Sequence, residues 1–293
     1  MNGDRAVTDV ERAPTRSAPT WRSPLIVAGA TIVFGLTLAA VLAPFLAPYD
    51  PTAVAGPSLQ SPSARHLLGT NDVGQDILSQ LVWGTRASLS VALLAPLLAV
   101  VLGVLVGVGA GLVGGMVDRV VTRVLDVLLA VPVLPLLIVV AALVRSGRTV
   151  AILAIGLLGW PRLARVVRSQ TLTLRRRGFV ASAHGFGGGP LYVIRRHLGP
   201  ALGPLIALRF VDLASVSIFL ESGLAFLGLG DPHAVSWGNM LNRALGRQGL
   251  YYSPLWAWWV LPAGLAISVA ILGFALLLVG LEPVFNPRWR RSR

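Results

Sequence analysis

Glu221 is the residue whose position asks most for chemistry. It stands in residues 202–229, an apolar run whose other charges are Arg209 and Asp212. A charge inside a bilayer-length helix costs roughly 2.5 to 3.5 kcal/mol on insertion scales, so it needs a partner, water or a proton. Glu221, with Ser222 beside it, is expected to line a translocation path or to hydrogen-bond across an interface between subunits; the plainer alternative is a carboxylate near the membrane boundary that touches solvent. Arg209 and Asp212 are three residues apart and can pair on one helix, as can Arg123 and Asp126, and packing is the plain role for both pairs. His66, His184, His197 and His233 are scattered over loops without HExxH or other metal-ligand spacing. They read as solvated side chains, with His66 and His233 facing outward were the cargo nickel. All 25 basic residues are arginine, and neither lysine nor cysteine occurs. The missing lysine excludes a GxxxxGK[ST] phosphate loop and Schiff-base chemistry in this chain. The missing cysteine excludes disulfides, thiolate metal sites and thiol nucleophiles.

The elements that must position these groups are membrane helices. The chain is 55% hydrophobic with only 13% charged residues, against about 25% in a soluble domain, and its mean hydropathy is +0.74. A spanning helix needs about 20 apolar residues. Four such stretches lie between Arg22 and Asp50, Arg86 and Asp118, Asp126 and Arg145, and Arg247 and Glu282. Residues 149–167 form another if Arg162 and Arg165 snorkel to the interface, and residues 202–229 complete the set. The expected fold is all-α, a polytopic membrane protein with about six transmembrane helices. It divides into an N-terminal tail (1–23), a first span (24–48) read as an uncleaved anchor, an external loop with a short helix (49–85) and a transmembrane core (86–293). Gly103, Gly107 and Gly111 recur every fourth residue, a spacing that permits close helix packing.

The net charge of +13 would suggest nucleic acid in a soluble protein; in a membrane protein it reports orientation, because arginine is enriched on the cytoplasmic side. Arg162, Arg165, Arg168, Arg175, Arg176, Arg177, Arg195, Arg196 and Arg209 fall in one stretch without an acidic residue before Asp212, and four more arginines follow Glu282. Six spans put these segments and both termini in the cytoplasm. The opposite side then receives residues 49–85 and 230–254, with Arg145 and Arg148 weakly against the rule.

Two loops are too elaborate to be simple connections. In the external one, Pro48, Pro51, Pro57 and Pro62 punctuate a path to Gly69-Thr70-Asn71-Asp72, turn chemistry expected to lead into a short helix at about 75–83. Its plain reading is a solvated cap. In the cytoplasmic one, residues 172–200, Gly185, Gly187, Gly188, Gly189 and Pro190 break a helix-compatible segment. The second helix, about 190–198, puts Leu191, Ile194 and Leu198 on one face, suited equally to a groove on a partner or to anionic headgroups.

Several stretches resemble the membrane-spanning permease subunit of ATP-binding-cassette importers, in particular the bacterial peptide and nickel branch. Phe179-Val180-Ala181-Ser182-Ala183, Gly187 and Arg196-His197-Leu198-Gly199-Pro200 are similar to that family's cytoplasmic EAA signature, with Ala181 in place of the glutamate and Gly199 in place of the usual apolar residue. Ala47-Pro48-Tyr49-Asp50-Pro51 looks like the exit of its first span. Residues 68–80 are similar to LGTDxxGRDxxSR, with Gln75 and Gln80 where that pattern has arginines. Gly115-Met116-Val117-Asp118 through Arg123, Asp126 and Pro132 resembles the start of the third span, and residues 221–230 followed by Ser236-Trp237-Gly238-Asn239-Met240-Leu241 resemble the end of the fifth.

The resemblance implies a non-enzymatic permease subunit in the bacterial cytoplasmic membrane that works by alternating access. It implies a second homologous permease, two cytoplasmic ATP-binding subunits that hold ATP and magnesium, and an external substrate-binding protein; no cofactor and no nucleic acid are expected on this chain. Residues 168–200 would be the coupling loop, contacting the ATPases through Ala181, Ser182, Ala183, Gly187, Pro190, Arg196, His197 and Pro200. Dipeptides or oligopeptides are the expected cargo, with nickel or another small solute as the alternative. A proton-coupled secondary transporter using Glu221 and Asp212 is a weaker rival, since no inverted repeat is visible. A polytopic lipid phosphatase or transferase would need acids that residues 162–200 lack.

Overall fold

A computed structural model describes residues 23–144, 147–178 and 187–285. Among them there are only helices and loops, and five helices are long and apolar enough to cross a membrane, or six if one bent pair counts as a span. In chain order they are α1 (Pro24–Val41), the single turn α2 (Ala43–Leu46), α3 (Ile77–Val113), α4 (Gly115–Ala130), α5 (Val133–Leu143), α6 (Arg148–Arg175), α7 (Pro190–Phe226), the short α8 (Trp237–Leu245) and α9 (Leu255–Phe285).

The bundle is built on glycine contacts. α3 and α6 run parallel, with Gly103 against Leu163, Gly107 against Ala164 and Val167, and Gly111 against Thr171. A β-carbon at Gly107 would lie 2.7 Å from the Ala164 carbonyl oxygen, so any side chain there forces the helices apart. The four-residue glycine spacing thus serves close packing, as expected from the sequence. α1 lies on α9 in the same manner: Gly29 meets the backbone at Leu277, and Gly273 meets Ile32.

Because α3 and α6 are parallel, the chain must return between them, and it does so differently from the single third span expected between Asp126 and Arg145. α4 and α5 meet at an 80° bend. Pro132 is the extended residue before α5, and the residue preceding a proline is itself pushed out of the helical region, as Val131 is. At about 1.5 Å per residue the 11 residues of α5 cover roughly 16 Å, half of a hydrocarbon core.

Two further expectations shift. The short external helix placed at about 75–83 is the first turns of α3, which Asp76 caps by accepting from the Ser79 amide at 2.8 Å. The separate helix placed at about 190–198 runs without a stop into the fifth span. Pro200 has no N–H and its ring would clash with the carbonyl four residues back in a regular α-helix; here residues Ile194–Leu198 form a π turn, and the Gly199 amide reaches back to the Ile194 carbonyl. Of the face expected at Leu191, Ile194 and Leu198, Leu198 is buried with Val108, Leu163, Val167, Val193 and Leu202, Ile194 is partly buried against them, and Leu191 is exposed.

Candidate functional site

The two ends of the bundle differ in chemistry. At the end formed by residues 47–76 and 227–254, polar side chains close on one another. Asp76 accepts from the Ser79 hydroxyl at 2.7 Å and faces His66 Nδ1 at 3.0 Å, with both His66 and Asp76 buried. The Tyr49 ring stacks on His66 at 4.9 Å. His66 is therefore a structural residue of the cap, which corrects its reading as a solvated side chain. Asn71 Oδ1 accepts the amides of Val73 and Gln75 at 3.0 and 2.9 Å. Gln75 Oε1 accepts from Asn71, Gln80 and Arg243. Gln80 Nε2 also donates to the Pro51 carbonyl at 3.1 Å. The two glutamines that replace arginines in the family pattern thus tie the cap to the helix beneath it. Among charged groups in these loops, Asp50 is held below the usual carboxylate range by the Thr52 hydroxyl and by the Thr52 and Ala53 amides.

Glu221 lies beneath this cap, inside the chain. It is 8% exposed, and its Oε2 accepts from Ser88 of α3 at 3.1 Å and from Ser222 at 3.4 Å. Arg148, Ser236 and Asn239 line the small cavity beside it. Within its own chain Glu221 is met by Ser88 across the contact between α3 and α7. Above it, Ser236 caps α8, and Trp237 is fully buried with its Nε1 donating to the Leu81 carbonyl at 3.1 Å.

Clefts open at both ends: beside the cap one of about 690 Å³ is lined by Asp72, Arg243 and Arg247, while those at the arginine-rich end reach in among the spans. A cleft of about 710 Å³ lies among α3, α5, α6 and α7, apolar except for Arg162, Arg209, Asp212 and Ser217. A second cleft of about 700 Å³ is lined by Gln170, Thr173, Arg177, Glu282 and the same Arg209 and Asp212. Arg209 Nη1 donates to Asp212 Oδ2 at 3.2 Å, as their spacing predicted, and the pair is half-exposed between the two clefts. Arg162 is exposed and makes no ion pair among the described residues. Sequence spacing misassigned the other pair: Asp126 bonds Arg165 of α6 at 2.5 Å rather than Arg123, and Asp118 takes Arg168 on both oxygens, with Nη2 to Oδ2 at 2.7 Å.

Of the expected coupling residues, Ala181, Ser182 and Ala183 lie outside the described residues. Gly187 has φ +80°, a conformation that L side chains rarely adopt, and Pro190 opens α7. Arg196 and His197 lie in the π turn, Arg196 exposed and His197 edge-on to Tyr192 at 5.7 Å, and Pro200 is exposed in the next turn. No group of three or more histidines or carboxylates is arranged to hold a metal among the described residues.

Known proteins align with nearly the whole of this architecture. The family described as the binding-protein-dependent transport system inner membrane component matches residues 79–291. The N-terminal transmembrane domain of oligopeptide transport permease C matches residues 21–68. A protein of Brucella suis biovar 1 named as a peptide permease is 35% identical over 265 residues, covering 87% of this chain and 86% of its own. The glutathione transport system permease protein GsiD of Escherichia coli O1:K1 is 34% identical over 91% of this chain and 88% of its own, and that of Shigella flexneri serotype 5b is 36% identical with the same coverage. With its several apolar helices and collinear match, the chain belongs to the binding-protein-dependent inner membrane components, the multi-pass permease subunits of ATP-binding-cassette importers, which are not themselves ATPases and work with ATP-binding and substrate-binding partners.

Proposed function

We propose that this chain forms half of the translocation path for peptides, paired with a second, homologous permease and driven by two cytoplasmic ATP-binding subunits that hold the ATP and magnesium. An external binding protein delivers the cargo at the capped end, and both termini lie in the cytoplasm. The observation that carries the reading is the collinear likeness to proteins named as peptide and glutathione permeases, since glutathione is itself a tripeptide. The cleft holding Arg162, Arg209 and Asp212 supports it, because charges in a span belong on a polar path rather than against lipid. Residues 168–200 couple ATPase closure to the spans. α6 and α7 flank that loop, so a push on it moves both helices that carry the cleft's charges.

Uptake of a labelled dipeptide by cells lacking this gene tests the cargo. The reading expects uptake to fall to background, with resistance to a toxic dipeptide, and both to return with the gene. Unchanged peptide uptake with loss of nickel uptake would replace peptide by metal. Co-purification without any ATP-binding subunit would favour the proton-coupled rival.

A further inference from the structure

From the geometry of α4 we infer that it lies in the plane of the membrane surface at the arginine-rich end, seated on anionic phospholipid headgroups. The first observation is its direction. Asp118 bonds Arg168 while Asp126 bonds Arg165. About 12 Å along α4 therefore matches only about 4.5 Å along α6, so the two helices cross steeply. The second is its level. Arg165 and Arg168 lie about 26 to 30 Å along α6 from its start at Arg148, the thickness of a hydrocarbon core. α5 then rises from the bend toward the capped end, with Leu137 packed among Val91, Ala95, Ile155, Leu220 and Leu224.

The third observation is the division of α4 into three sectors. Leu125, 1% exposed, and Asp118 face the bundle. Val120, Val124 and Val127 form an exposed stripe on the far side. Arg119 and Arg123, four apart, share the edge between them, exposed and without an ion-pair partner among the described residues. An apolar stripe bordered by cations is the pattern of an interfacial helix. The remaining carboxylates, Asp118 and Asp126, are both engaged by α6 arginines, and although Asp126 is 47% exposed on this edge its pairing with Arg165 leaves the edge with a net positive charge. Because those ion pairs fasten α4 to the helix leading into the coupling loop, the headgroups brace the part of the bundle that receives the ATPase stroke. None of this depends on what the transporter carries.

The cysteine-free chain makes the test direct. A fluorophore on Val127→Cys, and separately on Val124→Cys, is read in the assembled transporter in vesicles containing lipids brominated on their acyl chains. Quenching by brominated lipid is expected at both sites, and brominated phosphatidylglycerol should quench at a lower mole fraction than brominated phosphatidylcholine. Arg119→Gln and Arg123→Gln should each raise the required phosphatidylglycerol fraction, by up to roughly fivefold per charge. A fluorophore that no brominated lipid quenches would mean that protein, such as the second permease, covers the stripe, and would overturn the proposal. Equal quenching by both lipids, unchanged by the arginine variants, would overturn the headgroup contact.

Discussion

The capped end and the arginine-rich end of the bundle solve opposite problems. In the cap, His66, Asp76, Ser79, Asn71, Gln75 and Gln80 satisfy one another in a closed network, beside a cleft of about 690 Å³ at Asp72, Arg243 and Arg247. At the other end Arg162, Arg119 and Arg123 find no ion-pair partner among the described residues, and two wide clefts meet at the Arg209 and Asp212 pair. Closed networks fix a shape; open charges wait for ligands, lipids or subunits. Variants in the cap should therefore lower stability first, and variants at the arginine-rich end should lower transport first.

The largest effect expected is on coupling. Deleting residues 187–190 removes the left-handed turn at Gly187 and the start of α7. Vesicles should keep ATPase activity while peptide uptake falls to background, with the protein still in the membrane. Uptake that persists would remove the coupling role from this loop. In the cap, Asp76→Ala takes away the N-cap of α3 and leaves His66 and Ser79 without their acceptor. A lost cap and unsatisfied buried donors together are worth roughly 2 to 4 kcal/mol, read as a lower thermal midpoint of the purified complex. If Asp76→Ala unfolds normally yet abolishes uptake, the contrast between the ends is wrong.

That contrast is only partly written in the amino-acid order. Apolar runs and the Gly103, Gly107 and Gly111 stripe declare spans and close packing, because both depend on periodicity along one helix. The Arg209 and Asp212 pair is legible for the same reason. The Asp126 pair is not: its choice of Arg165 over Arg123 depends on how α4 crosses α6, a tertiary fact. The bend at Pro132 hides inside an apolar run whose composition suits a continuous helix. His66 looks like any loop histidine until the chain folds Tyr49 and Asp76 around it. Glu221 announces that it needs a partner, and only the packing of α3 on α7 names Ser88.

A smaller effect should come from Arg162→Gln. The guanidinium is exposed and has no ion-pair partner among the described residues, so its loss should change stability by no more than about 0.5 kcal/mol, as for other surface substitutions. If the cleft carries peptides and capture by the binding protein precedes it, the maximal uptake rate should still fall severalfold with half-saturation unchanged. Arg162→Lys should recover much of the rate. A fall in stability without a change in uptake would put Arg162 among the cap-like structural residues and narrow the open end to Arg209 and Asp212.

The smallest effect concerns pH, and it separates a closed loop from an open one within the cap itself. Asp50 is exposed, yet its carboxylate accepts from the Thr52 hydroxyl at 2.6 Å and from the Thr52 and Ala53 amides at 2.7 and 3.2 Å. These donors favour the charged form, which lowers the folded pKa below that of the unfolded chain. A group depressed in this way stabilises the fold above its unfolded pKa, and that contribution is lost as pH falls through the folded value. Amide exchange at Thr52 and Ala53, corrected for the intrinsic rate, should stay constant on acidification until well below the ordinary carboxylate range and only then quicken. Asp50→Asn should remove that acid step while leaving exchange at Ser79, whose amide is held by buried Asp76, where it was. Quickening at Ser79 in the same variant would mean that the exposed turn at residues 50–53 and the buried network open together, and that the cap is one cooperative unit rather than two.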